Sequence, residues 1–315
     1  MYNILVTGIG SIIGYGIIDG LKKSSIKSTI IGIDIYEDAY GRFLCDHFEQ
    51  GVKASSENYI DFINHIIVKY KIDLILPGIE QDLYALWNNK NSINTKVAFN
   101  NELCLQLAQD KLATYNFFLD HKIDLIPTLN NCSFADCKNA FGLPFLLKPI
   151  SSYASKGIEI INTEGEFNFF TQRLKGKCIY QRIVGTMDTE FTIGIFGDGQ
   201  GNFYDHIILQ RKLSGEGATS KATLVEDAII LSYVTAICSV LKPSGPLNIQ
   251  VRKEENKVFL LEINPRFSSS CSIRTLLGYN DPEMCLKYFL TNETILPAKK
   301  GKGKVVRYIA DYFYE

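Results

Sequence analysis

The chain has 315 residues, 46% of them hydrophobic, with 33 Lys+Arg against 34 Asp+Glu and a net charge of −1. That apolar content supplies cores for two or three packed lobes. The balanced charge, with no block of one sign, argues against nucleic acid or an anionic membrane surface as a partner.

The first hundred residues alternate strand-like and helix-like runs. NILVTG reads as a buried strand, and the glycine turn Gly8–Gly14 after it leads into a short helix, IIDGLKK. TIIGIDI is a second strand ending at Asp34, roughly twenty residues past Gly14, a spacing close to that of a dinucleotide-binding fold. Apolar residues Tyr59, Phe62, Ile63, Ile66, Ile67 and Tyr70 recur at helical period. DLILPGIE and KVAF supply two further strands, and Trp87 falls on an amphipathic helix between them. This rhythm predicts a doubly wound parallel sheet, with the loops at Gly8–Gly14, Asp34–Arg42 and Pro77–Asp82 around one crevice.

The rhythm changes near Gln109. QDKLATYNFFLDHKI reads as a helix, and SFADCKNAF as a second one capped by Ser133. The chain then becomes β-rich through LPFLLKPI, KGIEIIN, GKCIYQRI, TEFTIGIFGDG and GNFYDHIILQRKL, with a hairpin at Asp198–Asn202. A helix is predicted over Leu224–Leu241. PLNIQVRKE and NKVFLLEIN follow as antiparallel strands joined at Glu255-Asn256, then two short helices and a closing strand, KVVRYIADYF. Eight cysteines, none in a CxxC, read as reduced thiols of a cytosolic protein. The chain opens directly on a strand and its longest apolar run, Ala228–Leu241, is too short to span a bilayer, so a cytoplasmic location is expected.

The residues richest in chemistry lie between Pro246 and Ser270. On strands, Asn248 and Gln250 share one face, as do Glu262 and Asn264. Antiparallel pairing would bring Gln250, Glu262 and Asn264 to one spot, an oxygen set without His or Cys that suits Mg²⁺. An amphipathic hairpin with a satisfied polar face accounts for the same spacing. Arg266 adds a planar cation for a phosphoryl or carboxylate group.

NIQ followed by LEINPRFSSS resembles the metal-binding segment of ATP-grasp enzymes, most closely their carbamoyl-phosphate-synthase-like branch. Asp110-Lys111 with Thr114 and Phe117 is similar to that family's DK helix, whose lysine approaches the nucleotide phosphates. FLLKP is similar to the strand whose lysine, here Lys148, contacts phosphate. SSYASKGI stands where the family has a phosphate-covering loop, which implies Ser155, Lys156 and Gly157 as nucleotide contacts. The resemblance further implies an adenine hinge at Gln181, Arg182 and Ile183, and Glu190 as a ribose acceptor. It makes Arg211, Lys212 and Arg266 catalytic cations, and Gln250, Glu262 and Asn264 ligands of Mg²⁺ (or Mn²⁺). Two departures stand out: the loop has one glycine, Gly157, and the hinge has Gln181 where glutamate is common.

The resemblance implies an α/β and α+β architecture. A Rossmann-like pre-ATP-grasp lobe over 1–109 is followed by an ATP-grasp fold over 110–315, two α+β lobes (about 125–185 and 186–315) that clamp ATP. It implies an ATP-dependent carboxylate–amine ligase working through an acyl phosphate and releasing ADP and phosphate. Its partners would be small carboxylate and amine substrates, and relatives of this fold suggest a homodimer. Carbamoyl-phosphate-type chemistry on bicarbonate, a non-catalytic ATP-binding module and an NAD(P)-dependent oxidoreductase are the competing readings. Against the last, Gly8, Gly10 and Gly14 are spaced one residue wider than GxGxxG. Gly10, Ser11, Ser268, Ser269 and Arg274 are expected at the substrate, the first two because a helix N-terminus offers free N–H groups to an anion.

Overall fold

The computed structural model describes residues 1–151, 156–215 and 217–313, and within them the apolar runs of the first hundred residues form one parallel sheet. Its elements are β1 (Tyr2–Thr7), α1 (Ile12–Lys22), β2 (Ser28–Asp34), β3 (His47–Gln50), α2 (Tyr59–Tyr70), β4 (Leu74–Leu76), α3 (Glu80–Asn88) and β5 (Lys96–Val97). The strand order β3-β2-β1-β4-β5 is doubly wound, as the alternating signals predict. Strand β3 escaped the sequence reading because HFEQ is a half-exposed edge segment with no buried residue to set a period.

The glycines of α1 have packing roles. A Cβ on Gly14 would lie 2.3 Å from the Gly8 carbonyl oxygen. One on Gly16 would lie 2.9 Å from Cys271 Cβ, and one on Gly20 would lie 2.7 Å from Pro282 Cγ. The helix therefore lies directly on the C-terminal part of the chain, along a face that only glycine permits.

Two helices follow, α4 (Glu102–Ala108) and α5 (Lys111–Asp120), and then a four-stranded antiparallel sheet of order β6-β9-β7-β8. It comprises β6 (Thr128–Leu129), β7 (Phe145–Pro149), β8 (Glu159–Ile161) and β9 (Cys178–Arg182), with α6 (Phe134–Phe141) and α7 (Glu164–Arg173) packed on it around Phe145, Phe167 and Tyr180. Ser133 caps α6 in a capping box with Asp136, as its sequence predicts.

The third sheet has six strands in the order β14-β13-β10-β11-β12-β15. They are β10 (Glu190–Asp198), β11 (Phe203–Leu213), β12 (Thr219–Leu224), β13 (Ser244–Glu254), β14 (Lys257–Asn264) and β15 (Lys304–Val306), accompanied by α8 (Ala228–Leu241), α9 (Cys271–Leu276) and α10 (Asp281–Leu286). One face buries Ile193, Ile249 and Leu247 against Val234 and Ile237 of α8. The other buries Phe196, Ile207 and Leu209 with Ile17 of α1 and with Phe267. Two expectations are corrected here. The helix expected from Leu224 starts at Ala228, because β12 runs to Leu224 and Asp227 supplies the N-cap. The closing strand holds only Lys304–Val306, and Tyr308, Ile309 and Phe313 are exposed beyond it.

All eight cysteines are free thiols. Among the described residues, no helix is long and apolar enough to cross a membrane.

Candidate active site

Strands β13 and β14 pair antiparallel, with Gln250 opposite Glu262 and Asn248 opposite Asn264. The register shifts between Gln250 and Val251, because Leu260 pairs Val251 and leaves Leu261 as an extra residue. This bulge puts Glu262 on the face of Gln250 and Arg252, so the oxygen set expected from strand alternation is assembled. Gln250 Oε1 accepts from Arg211 Nη2 at 2.7 Å, and Asn264 Oδ1 accepts from Arg266 Nη2 at 3.1 Å. The Glu262 side chain forms no hydrogen bond or salt bridge among the described residues, although its charge acts on both Lys111 and Lys148.

Those two lysines reach the same cleft from different elements. Asp110 caps α5 by accepting from the amides of Leu112 and Ala113, both at 2.8 Å. The Lys111 amide donates to the Ile150 carbonyl at 3.0 Å, which ties the start of α5 to the end of β7. Lys148, on β7, is only 7% exposed, and its ammonium has no hydrogen bond or ion pair among the described residues. Burial, reinforced by the charges of Lys111 and Arg252, pushes its ammonium down to about 8. Burial also lowers Lys111, against the pull of Glu262 and Glu80. The cleft lies between Lys111, Lys148 and Glu262 and an apolar wall that includes Ile126, Ile179 and Leu261. A desolvated pair of amines beside one carboxylate and an apolar wall can receive a polyanion that carries an apolar ring.

The other expected residues separate into those that meet the cleft and those that do not. Gln181 lines it and donates to Thr128 Oγ1 at 2.8 Å. The adjacent Arg182 uses its amide on the Pro127 carbonyl and its guanidinium on Glu254, and half-buried Ile183 follows it. Gly157 has φ +76° and lies over Pro149 at the end of β7, Lys156 is exposed, and Ser155 lies outside the described residues. Arg266 donates to Glu80 of α3 at 3.0 Å as well as to Asn264. Lys212 does not join Arg211: strand alternation turns it outward, where it pairs with exposed Asp188 at 3.4 Å.

Glu190 has a different task from the one expected. Its two carboxylate oxygens accept from Arg211 and from Arg252, at 2.8 Å and 3.1 Å, so it holds two guanidiniums in place. The five residues expected at the substrate are likewise engaged within the protein. Gly10 donates its amide to Asp34 Oδ2 at 2.7 Å, and Ser11 caps α1 by accepting from Gly14. Ser268 bonds Ser270, and Ser269 bonds Thr219. Arg274 is 0% exposed, in an ion pair with Asp281 at 3.0 Å and a hydrogen bond to Asn248. Its guanidinium fills the space where a Cβ on Gly194 would sit, 2.8 Å from Cζ.

Arg252 is absent from the sequence expectations, and Glu80 enters them only as one of several charges, with Arg42, Asp82 and Arg274, that could reach the crevice. Arg252 lies two residues beyond Gln250 on one strand face, a signal that alternation carries. Glu80 follows the turn at the carboxyl end of β4, but only its pairing with Arg266 across 186 residues marks it.

Residues 186–312 match a family described as ATP-grasp in the biosynthetic pathway with Ter operon, and residues 4–98 match the PylC-like N-terminal domain. The chain carries an ATP-grasp domain. The ATP-grasp fold extends over almost the whole chain in solved structures. N5-carboxyaminoimidazole synthetase from Staphylococcus aureus, in complex with ADP, aligns over 95% of this chain and 80% of its own at a TM-score of 0.73 and 15% identity. N5-carboxyaminoimidazole ribonucleotide synthetase from Thermus thermophilus aligns over 96% and 81%, at 0.71 and 18% identity. Biotin carboxylase from Campylobacter jejuni, as a β-γ-ATP complex, aligns over 91% and 70%, at 0.70 and 16% identity. At such identities the likeness carries the ATP-grasp fold, and the chemistry is argued from the residues above.

Proposed function

We propose that this chain is an ATP-dependent ligase that joins a carboxylate to an amine through an acyl phosphate, releasing ADP and phosphate. The observation that carries this reading is the convergence of Lys111, Lys148 and Glu262 on one cleft, with the Lys148 ammonium and the Glu262 carboxylate lacking hydrogen-bond and ion-pair partners among the described residues. A buried ammonium without a counter-ion is costly, and a phosphate supplies that counter-ion. Adenine would lie on the wall of Ile126, Ile179 and Leu261, next to Gln181.

Glu262 with the amide oxygens of Gln250 and Asn264 is the set that would hold Mg²⁺ (or Mn²⁺). One unpartnered carboxylate and two neutral oxygens fit a hard cation that retains waters and phosphate oxygens. When bound, such an ion neutralises charge on the β- and γ-phosphates. Arg211, fixed by Glu190, and Arg266, fixed by Glu80, then face the transferring group with no reorganisation required. Nothing in this scheme calls for a nucleophilic side chain.

The division into 1–109 and 110–315, with lobes near 125–185 and 186–315, belongs to the same reading. It is supported by the way each range contains one of the three sheets. The test is ADP release screened over carboxylic acids crossed with amines. ADP formed only when an acid and an amine are both present supports the ligase. Release with bicarbonate alone would favour a carbamoyl-phosphate-type reaction, and nucleotide binding without any release would favour a binding module.

A further inference from the structure

The parallel sheet opens a second cavity, about 610 Å³, at the carboxyl ends of its strands, lined by Gly8, Asp34, Gly51, Tyr59, Gln81 and Asp82 among others. A dinucleotide would lie here in a fold of this topology. Two observations argue against an anionic ligand. The Gly10 amide, which would meet a pyrophosphate, is consumed by Asp34 Oδ2 at 2.7 Å. Moreover, two carboxylates, Asp34 and Asp82, line the cavity, against a single exposed cation, Lys53.

The same lining contains groups that lack partners. Asp82 is 6% exposed and has no salt bridge among the described residues. The Tyr59 hydroxyl beside it is fully enclosed, in a residue 2% exposed, and completes no hydrogen bond. Burial, with the charge of Asp34 adding to it, raises the Asp82 carboxyl, against the nearby hydroxyls of Thr7 and Tyr59 that favour its ionised form. An enclosed carboxylate with no counter-ion, faced by a hydroxyl that completes no hydrogen bond of good geometry, is the complement of an ammonium group, which offers three donors and a positive charge.

We propose that this cavity binds the ammonium end of a small organic amine, with Asp82 and the Tyr59 hydroxyl as its partners and Asp34 as a second carboxylate of the lining. Helix α3 sets the cavity against the catalytic cleft. Glu80, its first residue, lines the cleft, and Gln81 and Asp82 line the cavity. Asp82 lies two residues along α3 from Glu80, the partner of Arg266. The inference rests on the ligase reading only in taking that amine as the co-substrate.

The test uses the full chain with 1,4-diaminobutane and n-butylamine as probes and n-butanol as the uncharged control. Binding is followed by calorimetry and by the fluorescence of Trp87, which lies on α3. The amines are expected to bind and the alcohol not. Asp82→Asn should weaken amine binding at least about tenfold, the scale of one charge-assisted hydrogen bond. Tyr59→Phe should weaken it less, and MgADP should bind both variants as it binds the parent. Amine binding that Asp82→Asn leaves intact overturns the proposal. So does an absence of amine binding in protein that binds MgADP, or a response to Mg²⁺ alone that depends on Asp82. Once an acid–amine pair gives turnover, Asp82→Asn should raise the KM for the amine and not that for ATP. Turnover with an unchanged amine KM removes this site and leaves the ligase standing. Asp82-dependent amine binding without ADP release in any pairing does the reverse.

Discussion

Arg211 donates an Nη2 proton to Gln250 Oε1 at 2.7 Å, across strands that are not adjacent, while the same guanidinium holds Glu190 at 2.8 Å. Strand β10 lies between them and contributes Glu190, so the amide oxygen of Gln250 is oriented by a cation that is itself fixed by a buried carboxylate. Gln250→Leu removes that oxygen without burying a new charge. We expect nucleotide binding to need about tenfold more Mg²⁺, with apo stability changed by no more than about 1 kcal/mol. Magnesium titrations of nucleotide affinity and thermal melts check both.

Glu262 is the sole carboxylate of the proposed metal set. Glu262→Ala is expected to abolish ADP release while the circular dichroism spectrum and the melting temperature stay near those of the parent. Full activity in that variant would remove the metal assignment.

Lys148 is held in its ammonium form at a cost. Its folded-state pKa is lowered from 10.5 to about 8, so the folded chain binds fewer protons than the unfolded chain between those values, and stability rises as pH rises through that window. At pH 7 the buried charge is destabilising, and Lys148→Met should stabilise the apo protein by on the order of 2 kcal/mol. The same substitution should weaken nucleotide binding by about a hundredfold, through loss of a charge-assisted contact in a desolvated cleft. In the parent, nucleotide affinity should fall as pH rises past about 8, and Lys148→Arg, which stays charged, should flatten that profile.

Asp82 gives the opposite slope in a lower range. Its folded-state pKa is raised from 3.8 to about 6, mainly by burial, so the folded chain binds more protons than the unfolded chain between those values. Stability contributed by the protonated form is lost as pH climbs from about 4 through 6. Asp82→Asn should therefore be more stable than the parent at pH 7.5, by on the order of 2 kcal/mol, and should lose that advantage near pH 4. Chemical denaturation at the two pH values checks the sign.

The glycines after β1 serve packing, which predicts a position-dependent alanine scan. Gly14→Ala places a Cβ 2.3 Å from a carbonyl oxygen and should cost about 3 kcal/mol or more. Gly16→Ala, 2.9 Å from Cys271 Cβ, should cost about 1–3 kcal/mol. Gly165→Ala, in α7 with its nearest neighbour at 4.0 Å, should be neutral or slightly stabilising.

The parts of this molecule that follow from local period were legible in its sequence. Alternation placed Gln250 with Glu262 and Asn264, and the βα rhythm gave a doubly wound sheet. What depended on long-range packing was not. The bulge at Leu261 arises from pairing with β13, and Arg274 looks like a free cation until Asp281 and Asn248 enclose it. Gly10 likewise looks open to an anion until Asp34, 24 residues on, takes up its amide. Arg274 and Gly10 are enclosed by groups from other elements, which local period does not reveal.

The most direct test of an acyl-phosphate ligase follows one oxygen atom. With an acid and amine that support ADP release, the acid is supplied with its carboxylate labelled in ¹⁸O, and the released phosphate is examined by mass spectrometry. Activation through an acyl phosphate predicts one labelled oxygen per phosphate released. Unlabelled phosphate, with the label confined to the amide and unreacted acid, would contradict it.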